Sequence, residues 1–273
     1  MSRQWVGQIG CEGGPVLVAN ATDFEQWYGS DALPADSRNE LHFWSPFTGE
    51  LPARFQPQGA TGHQYLPSQA PAELREQLIA EVLALWPDTQ VDRSADTWVA
   101  TRPDGRKLQA VLEPSSEYSM ATRELGFEAV YRYASGASCF LWSIEPGLVR
   151  IVIDESREQL HLAQIHFADT EPDAETAHAH ALNEAGEPSE LQYRISTGPV
   201  VALWAPQSIR DLPPNAHFRC GPAEAPHVLD LAMPASGAAF WLEPGDYQPF
   251  TGYRESPTWG VNWCTLRRCA AQQ

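Results

Sequence analysis

The chain has 273 residues, with 18 Lys plus Arg against 35 Asp plus Glu, a formal charge of −17 at pH 7 and 43 % apolar residues. It can bury a substantial core, and its acidity argues against nucleic acid or an anionic membrane as a ligand, since both repel a negative surface. No stretch reaches the ~18 apolar residues of a membrane span, and the start, MSRQWVGQIG, has no apolar leader, so a cytoplasmic protein with a basic partner is expected.

In chain order, the local signals are mostly those of strands. CEGGPVLVAN (Cys11–Asn20) sets Gly-Pro before a β-branched and apolar run, so Val16–Ala19 reads as a strand, as does Leu41–Trp44. PAELREQLIAEVLALWP breaks the pattern. Leu74, Leu78, Val82, Leu85 and Trp86 recur at three- and four-residue spacing, Pro71 suits a first turn and Pro87 stops the helix. Glu73, Glu76, Gln77 and Glu81 occupy its other face, which predicts an amphipathic helix lying on a sheet. Asp104-Gly105, between two strand-like runs in Thr97–Glu113, predicts a hairpin turn. Phe127–Ala134 and Ser138–Trp142 are further strands, and Val149, Ile151 and Ile153 alternate with Arg150, Val152 and Asp154. Asp169–Glu190 has almost no large apolar residue and reads as a linker or long surface loop. The wider span 154–190 holds ten acids against Arg157 alone. Val200–Trp204 is a strand again.

Parts of this text are written twice. STGPVVALWA (Ser196–Ala205) echoes the first Gly-Pro run, and PASGAAFWLEPG (Pro234–Gly245) echoes YASGASCFLWSIEPG (Tyr133–Gly147) in the same order. Two matches in order predict a duplicated β module, and their unequal spacing excludes a solenoid array. Glu145-Pro146-Gly147 and Glu243-Pro244-Gly245 have the composition of type II turns. The expectation is a β-rich α+β fold of two related, mainly antiparallel β modules. Residues 1–168 form the first, with a helical insertion near 71–86; 169–190 form an acidic linker or surface loop; 191–273 form the second, shorter module.

Signatures of chemistry are sparse. The chain has no Walker loop, G-x-G-x-x-G, H-E-x-x-H, G-x-S-x-G or calcium loop. Cys11, Cys139, Cys220, Cys264 and Cys269 are odd in number and form no C-x-x-C, so reduced and mostly buried thiols are expected. His178-Ala179-His180, with His161, His166 and Asp169 upstream, comes nearest to a metal site. An H-x-H in an acidic, Ala-rich segment is more often a pair of solvated side chains than a ligand set, so neither metal nor cofactor is expected. Most of the ten Trp must be core. Aromatics embedded in polar sequence are candidate anchors on a binding face: Trp27 and Tyr28 among Asp23, Glu25 and Asp31, then Tyr247 and Tyr253 beside Asp246.

The start of the chain, W-V-G-Q-I-G-x-x-G-G-P-V-L-V followed by F-E-Q-W-Y-G, resembles the N-terminal signature of the Immunity protein 21 family. The matching positions are Trp5, Gly13, Gly14, Pro15, Val16, Leu17, Trp27 and Gly29, within about twenty-five residues. That family is largely β and associated with bacterial polymorphic-toxin loci, where the product binds and neutralises a cognate toxin. The resemblance implies a non-enzymatic immunity protein that blocks a toxin by direct contact. Charge adds that the toxin is a cytosol-acting effector with a basic active-site cleft. The expected partner surface is Asp23, Glu25, Trp27, Tyr28 and Asp31, then Asp246, Tyr247 and Tyr253. Two other readings stay open: a small hydrolase or sugar-processing enzyme using loop carboxylates such as Glu145 with Glu243, and a ligand-binding β module whose aromatics stack on a ligand.

Overall fold

The computed structural model describes residues 3–11, 13–31, 39–44, 51–52, 55, 63–67, 71–94, 97–114, 116–123, 125–133, 135–214, 216–231 and 236–270. In chain order the elements are β1 (Arg3–Cys11), β2 (Gly14–Asn20), α1 (Ala21–Phe24), β3 (Asn39–Trp44), β4 (His63–Pro67), α2 (Pro71–Leu85), β5 (Gln90–Arg93), β6 (Thr97–Thr101) and β7 (Lys107–Pro114). Then come α3 (Glu117–Arg123), β8 (Glu128–Arg132), β9 (Ser138–Ile144), β10 (Gly147–Asp154), β11 (Gln159–Ala168) and α4 (Glu171–Asn183). The chain continues through β12 (Glu187–Pro188), β13 (Tyr193–Ile195), β14 (Pro199–Trp204), a 3-10 turn (Ile209–Asp211), β15 (His227–Asp230), β16 (Ser236–Trp241), β17 (Gly245–Glu255) and β18 (Trp259–Arg268). The β-rich α+β class is as expected. No helix among the described residues is long and apolar enough to cross a membrane.

The chain divides into two compact units, Met1–Asp31 with Glu117–Gln273, and Ala32–Ser116. The inserted unit, 32–116, is an antiparallel sheet in the order β4-β3-β7-β6-β5. Helix α2 packs on it through Leu78, Ile79 and Val82, which meet Trp98, Ala100, Leu108 and Ala110. Leu85, read as part of that apolar stripe, is exposed instead, because it stands at the last residue of the helix. The β6–β7 hairpin turns at Asp104-Gly105, with Gly105 at φ 82°.

The larger unit is a sandwich of two antiparallel sheets, ordered β1-β10-β11-β18-β17 with β12 and β13 both paired to β17, and β15-β16-β14-β2-β9-β8. Between them lie Ile9, Val149, Ile151, Leu160, Leu162, Cys264 and Leu266 from the first sheet and Val16, Val18, Phe140, Trp142, Val200 and Phe240 from the second. β2 is apolar on both faces because both are covered. Its other face, Leu17 and Ala19, packs with Leu141, Val201 and Leu203 beneath Phe24, Trp27 and Ala121. The outer face of the first sheet is covered by α4, where Ala177 and Ala181 meet Ala163, Val261 and Trp263.

The duplication is visible as symmetry. If each β1, β2, β8, β9, β10 and β11 is exchanged with β13, β14, β15, β16, β17 and β18, both strand orders run backwards onto themselves. Register agrees: Gly14 faces Ile144 while Gly198 accepts from the amide of Leu242, and Cys11 faces Gly147 as Ile195 faces Gly245. The repeated strands β2 and β14 lie side by side, antiparallel, with Val18 opposite Ala202. This explains the repeated Gly-Pro. Gly14 and Gly198 hold φ of 89° and 83°, and a Cβ on them would lie 2.5 Å from the Tyr118 hydroxyl and 2.4 Å from the Trp241 ring. Pro then enters the strand at the same place in each copy.

Two expectations are corrected by this arrangement. The copies interleave in shared sheets, so the chain does not divide at 169–190; the boundaries fall around 32–116. The segment expected as a linker contains α4, which Thr170 caps by accepting from the amide of Asp173, with Pro in the first turn. The Glu-Pro-Gly triplets are also not type II turns. Each carries the chain from one sheet to the other, and Gly147 and Gly245 have φ of 156° and 159°, far from the roughly 80° of a type II turn. All five cysteines are free, and Cys269 alone is not buried.

Candidate functional site

The two aromatic and acidic clusters expected as one partner surface are not brought together. Asp23, Glu25, Trp27, Tyr28 and Asp31 belong to α1 and the turn after it, outside the β2–β14 sheet, whereas Asp246, Tyr247 and Tyr253 lie on β17 of the other sheet. In the first cluster, Asp23 accepts from the Asn20 side-chain amide Nδ2 at 3.0 Å, and Glu25 is paired with Arg219. Arg210 lies 4.6 Å over the Tyr28 ring and pairs with Asp31 at 3.4 Å. Trp27 is 1 % exposed, donates its indole N–H to the Ala205 carbonyl at 2.9 Å and packs edge-on against Tyr131. It is a core residue, correcting its expected role as an anchor: its large apolar face is already spent on the cover of β2. Tyr247 is corrected for the same reason. It is fully buried between the sheets, and its hydroxyl donates to the Glu243 carbonyl at 2.7 Å. Asp246 pairs with Arg194 at 3.2 Å, while Tyr253 is exposed and donates to Glu255 at 2.6 Å.

Acids without a counter-ion lie elsewhere. Exposed Glu171 and Glu175 lie on helix α4 and Glu187 on the edge strand β12, with Asp169 just before the helix, Glu184 just after it and Glu190 beyond β12. Arg150 pairs with Glu175 at 2.8 Å and His180 lies 4.0 Å from Glu184. No ion pair among the described residues engages Asp169, Glu171, Glu187 or Glu190. The Ala side of α4 lets the helix lie flat on Trp263 and Trp259, so Glu171 and Glu175 are held on an ordered outer face.

The histidines of that region do not converge. His178 and His180 are two residues apart on α4 and point in different directions. His178 lies 3.4 Å from the Arg150 guanidinium, while the His180 ring packs 5.6 Å from both Trp259 and Trp263. His166 stacks edge-on near Tyr253. His161 sits opposite Thr265, 3.1 Å from its hydroxyl, at the place where the two copies meet in the first sheet. Burial pushes the His161 imidazole down to about 4, with the charges of Arg3 and Arg267 acting in the same direction, so it is neutral near pH 7. A group of His217, Glu224 and His227 does converge, on the opposite sheet beside β15.

Glu145 and Glu243 stand at opposite ends of the sandwich. The Glu145 corner adjoins Gly14 at the start of β2, the Glu243 corner adjoins Gly198, and β2 and β14 run antiparallel. At ~3.3 Å per residue, the seven residues of β2 put them about 20 Å apart. Paired carboxylates that cleave a glycosidic bond stand about 5–9.5 Å apart, so these two cannot serve one bond. A groove of about 720 Å³ is lined by Glu158, Arg194, Asp246, Arg268 and Cys269. Its charges neutralise one another, Arg194 with Asp246 and Arg268 with Glu158 at 2.7 Å.

The residues that carry the sequence motif are placed mainly to build the fold. Val16 and Leu17 are buried on the two faces of β2, the Gly13 carbonyl accepts from the Trp204 indole at 2.8 Å, and Trp5 alone among the apolar members is exposed. Gly29, at φ 58°, leaves no room for a Cβ against the Pro206 carbonyl. Comparison with protein-family models, with curated proteins and with solved structures found no match.

Proposed function

We propose that this chain is a cytoplasmic, non-enzymatic immunity protein that neutralises a cognate bacterial toxin by direct contact, its acidic α4 face occupying a basic cleft of a cytosol-acting effector. The observation that carries the reading is the group of exposed acids without counter-ions at and around α4 and β12, namely Asp169, Glu171, Glu187 and Glu190, beside a helix that its alanines hold flat on the sheet. A toxin acting on nucleic acid or nucleotides needs a cationic cleft, and an acidic surface held in place is steered toward it and loses little entropy on docking. The motif resemblance supports the same class. Asp23, Glu25 and Asp31 are weaker candidates, because Glu25 and Asp31 are neutralised within the chain, while exposed Tyr253 remains available as an anchor.

The test is a binding titration against the purified product of the adjacent reading frame at low and high salt. The expected result is a complex whose association slows with salt, and slows again in a Glu171→Lys, Glu187→Lys, Glu190→Lys triple variant. Binding indifferent to both salt and charge reversal would remove the electrostatic account. No complex at all would remove the immunity reading.

A further inference from the structure

The connection from the 3-10 turn to β15 is rich in proline and is pinned by side chains that alternate in direction. Phe218 packs edge-on against Phe24 at 6.1 Å, and Cys220 is buried with its thiol 3.4 Å from the Ala225 carbonyl. His217 is therefore left on the outer side. The chain then turns, the amide of Glu224 donating to the Gly221 carbonyl at 3.2 Å, and the Glu224 carboxylate accepts from the Gly221 amide at 2.8 Å, which fixes its direction. The turn returns the chain to His227, set in place by its pairing with Ala239 in β16. His217, Glu224 and His227 thus present ligand atoms all within 4.8 Å of one another.

We propose that these three residues form a divalent transition-metal site, with Zn²⁺ the best fit, that ties the proline-rich connection to edge strand β15. Two donors about 2.0–2.1 Å from a tetrahedral zinc lie ~3.3 Å apart, and His217 Nε2 stands 3.6 Å from Glu224 Oε2. The imidazole planes cross at 83° with centroids 4.8 Å apart, so the rings are not stacked and small side-chain rotations bring both to a common ion. Two nitrogens and one carboxylate oxygen suit zinc or a neighbouring transition ion, whereas magnesium and calcium ask for oxygens alone. Nε2 of His227 is buried with no hydrogen-bond partner, so an ion there would also satisfy a polar atom that otherwise has none. An ion pair between His217 and Glu224 would satisfy those two and leave His227 unexplained. With His217 and Glu224 exposed, the fourth position is open to water.

Metal-free full-length protein is titrated with Zn²⁺ by calorimetry and with Co²⁺ by visible absorption. The expected result is one ion per chain, a tetrahedral cobalt spectrum and no comparable binding of Mg²⁺. His217→Ala and Glu224→Gln change exposed side chains, so both fold, and each weakens Zn²⁺ at least ~10-fold, the loss that even outer partners of a metal ligand can cause. His178→Ala leaves binding unchanged. Absence of Zn²⁺ binding, or binding undiminished in both His217→Ala and Glu224→Gln, overturns the proposal.

Discussion

Glu117 sets up a pH dependence that can be read from its surroundings. It opens α3, where the helix dipole favours a negative charge by about 0.3–1 kcal/mol. Yet the side chain is 4 % exposed, its Oε2 has no hydrogen-bond partner, and only a backbone hydrogen bond from Tyr28 favours the charged form. Burial wins, and it pushes the carboxyl up to about 7 from an ordinary 4.5. Because the folded state holds this proton more tightly than the unfolded chain, stability is full below the ordinary value, falls as pH rises through the window from 4.5 to about 7, and is flat above it. At 1.36 kcal/mol per unit the loss is about 3 kcal/mol. Glu117→Gln, which resembles the protonated acid in shape and hydrogen bonding, removes it. Urea unfolding of both proteins from pH 5 to pH 8 should show curves close together at pH 5, with the variant more stable by about 3 kcal/mol at pH 8. Other titrating groups are common to both proteins and cancel in the difference. A difference that stays constant with pH, or a variant less stable at pH 8, refutes the assignment of a buried carboxylate to this site.

Trp27→Ala should cost about 3–5 kcal/mol in denaturant unfolding, because it empties a fully enclosed site and orphans the Ala205 carbonyl; an exposed anchor would leave stability unchanged and only speed dissociation of a complex. Ala177→Leu should overpack the contact with Trp263 and cost about 1–3 kcal/mol. In the unaltered protein, hydrogen exchange should protect the α4 amides from Ala174 to Asn183, in contrast to the rapid exchange a linker would show.

Much of the sheet architecture was legible because it rests on short-range signals. Gly-Pro before a β-branched run located β2 and β14, and Asp104-Gly105 located the β6–β7 turn, since each requires a backbone geometry that few residues allow. The repeats foretold a duplication, but sequence order could not say whether two copies form separate bodies or pair strand to strand. That choice depends on long-range contact, and here β2 pairs with β14 across 180 or more positions of chain, Val200 with Asn20 being the shortest span. Helix α4 was missed because its buried face is alanine. A stripe of Ala174, Ala177 and Ala181 with a Thr170 cap is a helix signal, yet a window poor in large apolar residues resembles a linker until the flat Trp263 surface beneath it is known. Trp27 shows the opposite difficulty: Glu25 and Gln26 beside it are exposed, while it turns in with Phe24. The His217, Glu224 and His227 group carries no recognisable spacing, because a proline-rich turn rather than a helix face brings its members together.

The symmetry of the larger unit also fixes what can be removed from it. In the second copy, β14 reaches β15 through the 3-10 turn and the proline-rich connection; in the first, the equivalent step from β2 to β8 contains α1, the whole unit 32–116 and α3. That excursion leaves and returns at one place. The amide of Tyr118 donates to the Gly29 carbonyl at 2.9 Å, so the flanks of the insertion are already hydrogen-bonded to each other within the unit that would remain. Unit 32–116 has its own sheet and its own core of Leu78, Ile79, Val82 and Trp98. Loop closure changes by only about 0.6 kcal/mol for each doubling of length, so replacing 32–116 with a short Gly-Ser linker asks little of the chain at that point. The excised protein should retain β-sheet circular dichroism, unfold cooperatively and keep the pH response assigned to Glu117. An excised chain that loses cooperative unfolding while the intact chain shows one transition would mean that the sandwich, despite its closed hydrogen bonding at Gly29 and Tyr118, does not hold its fold without the insertion.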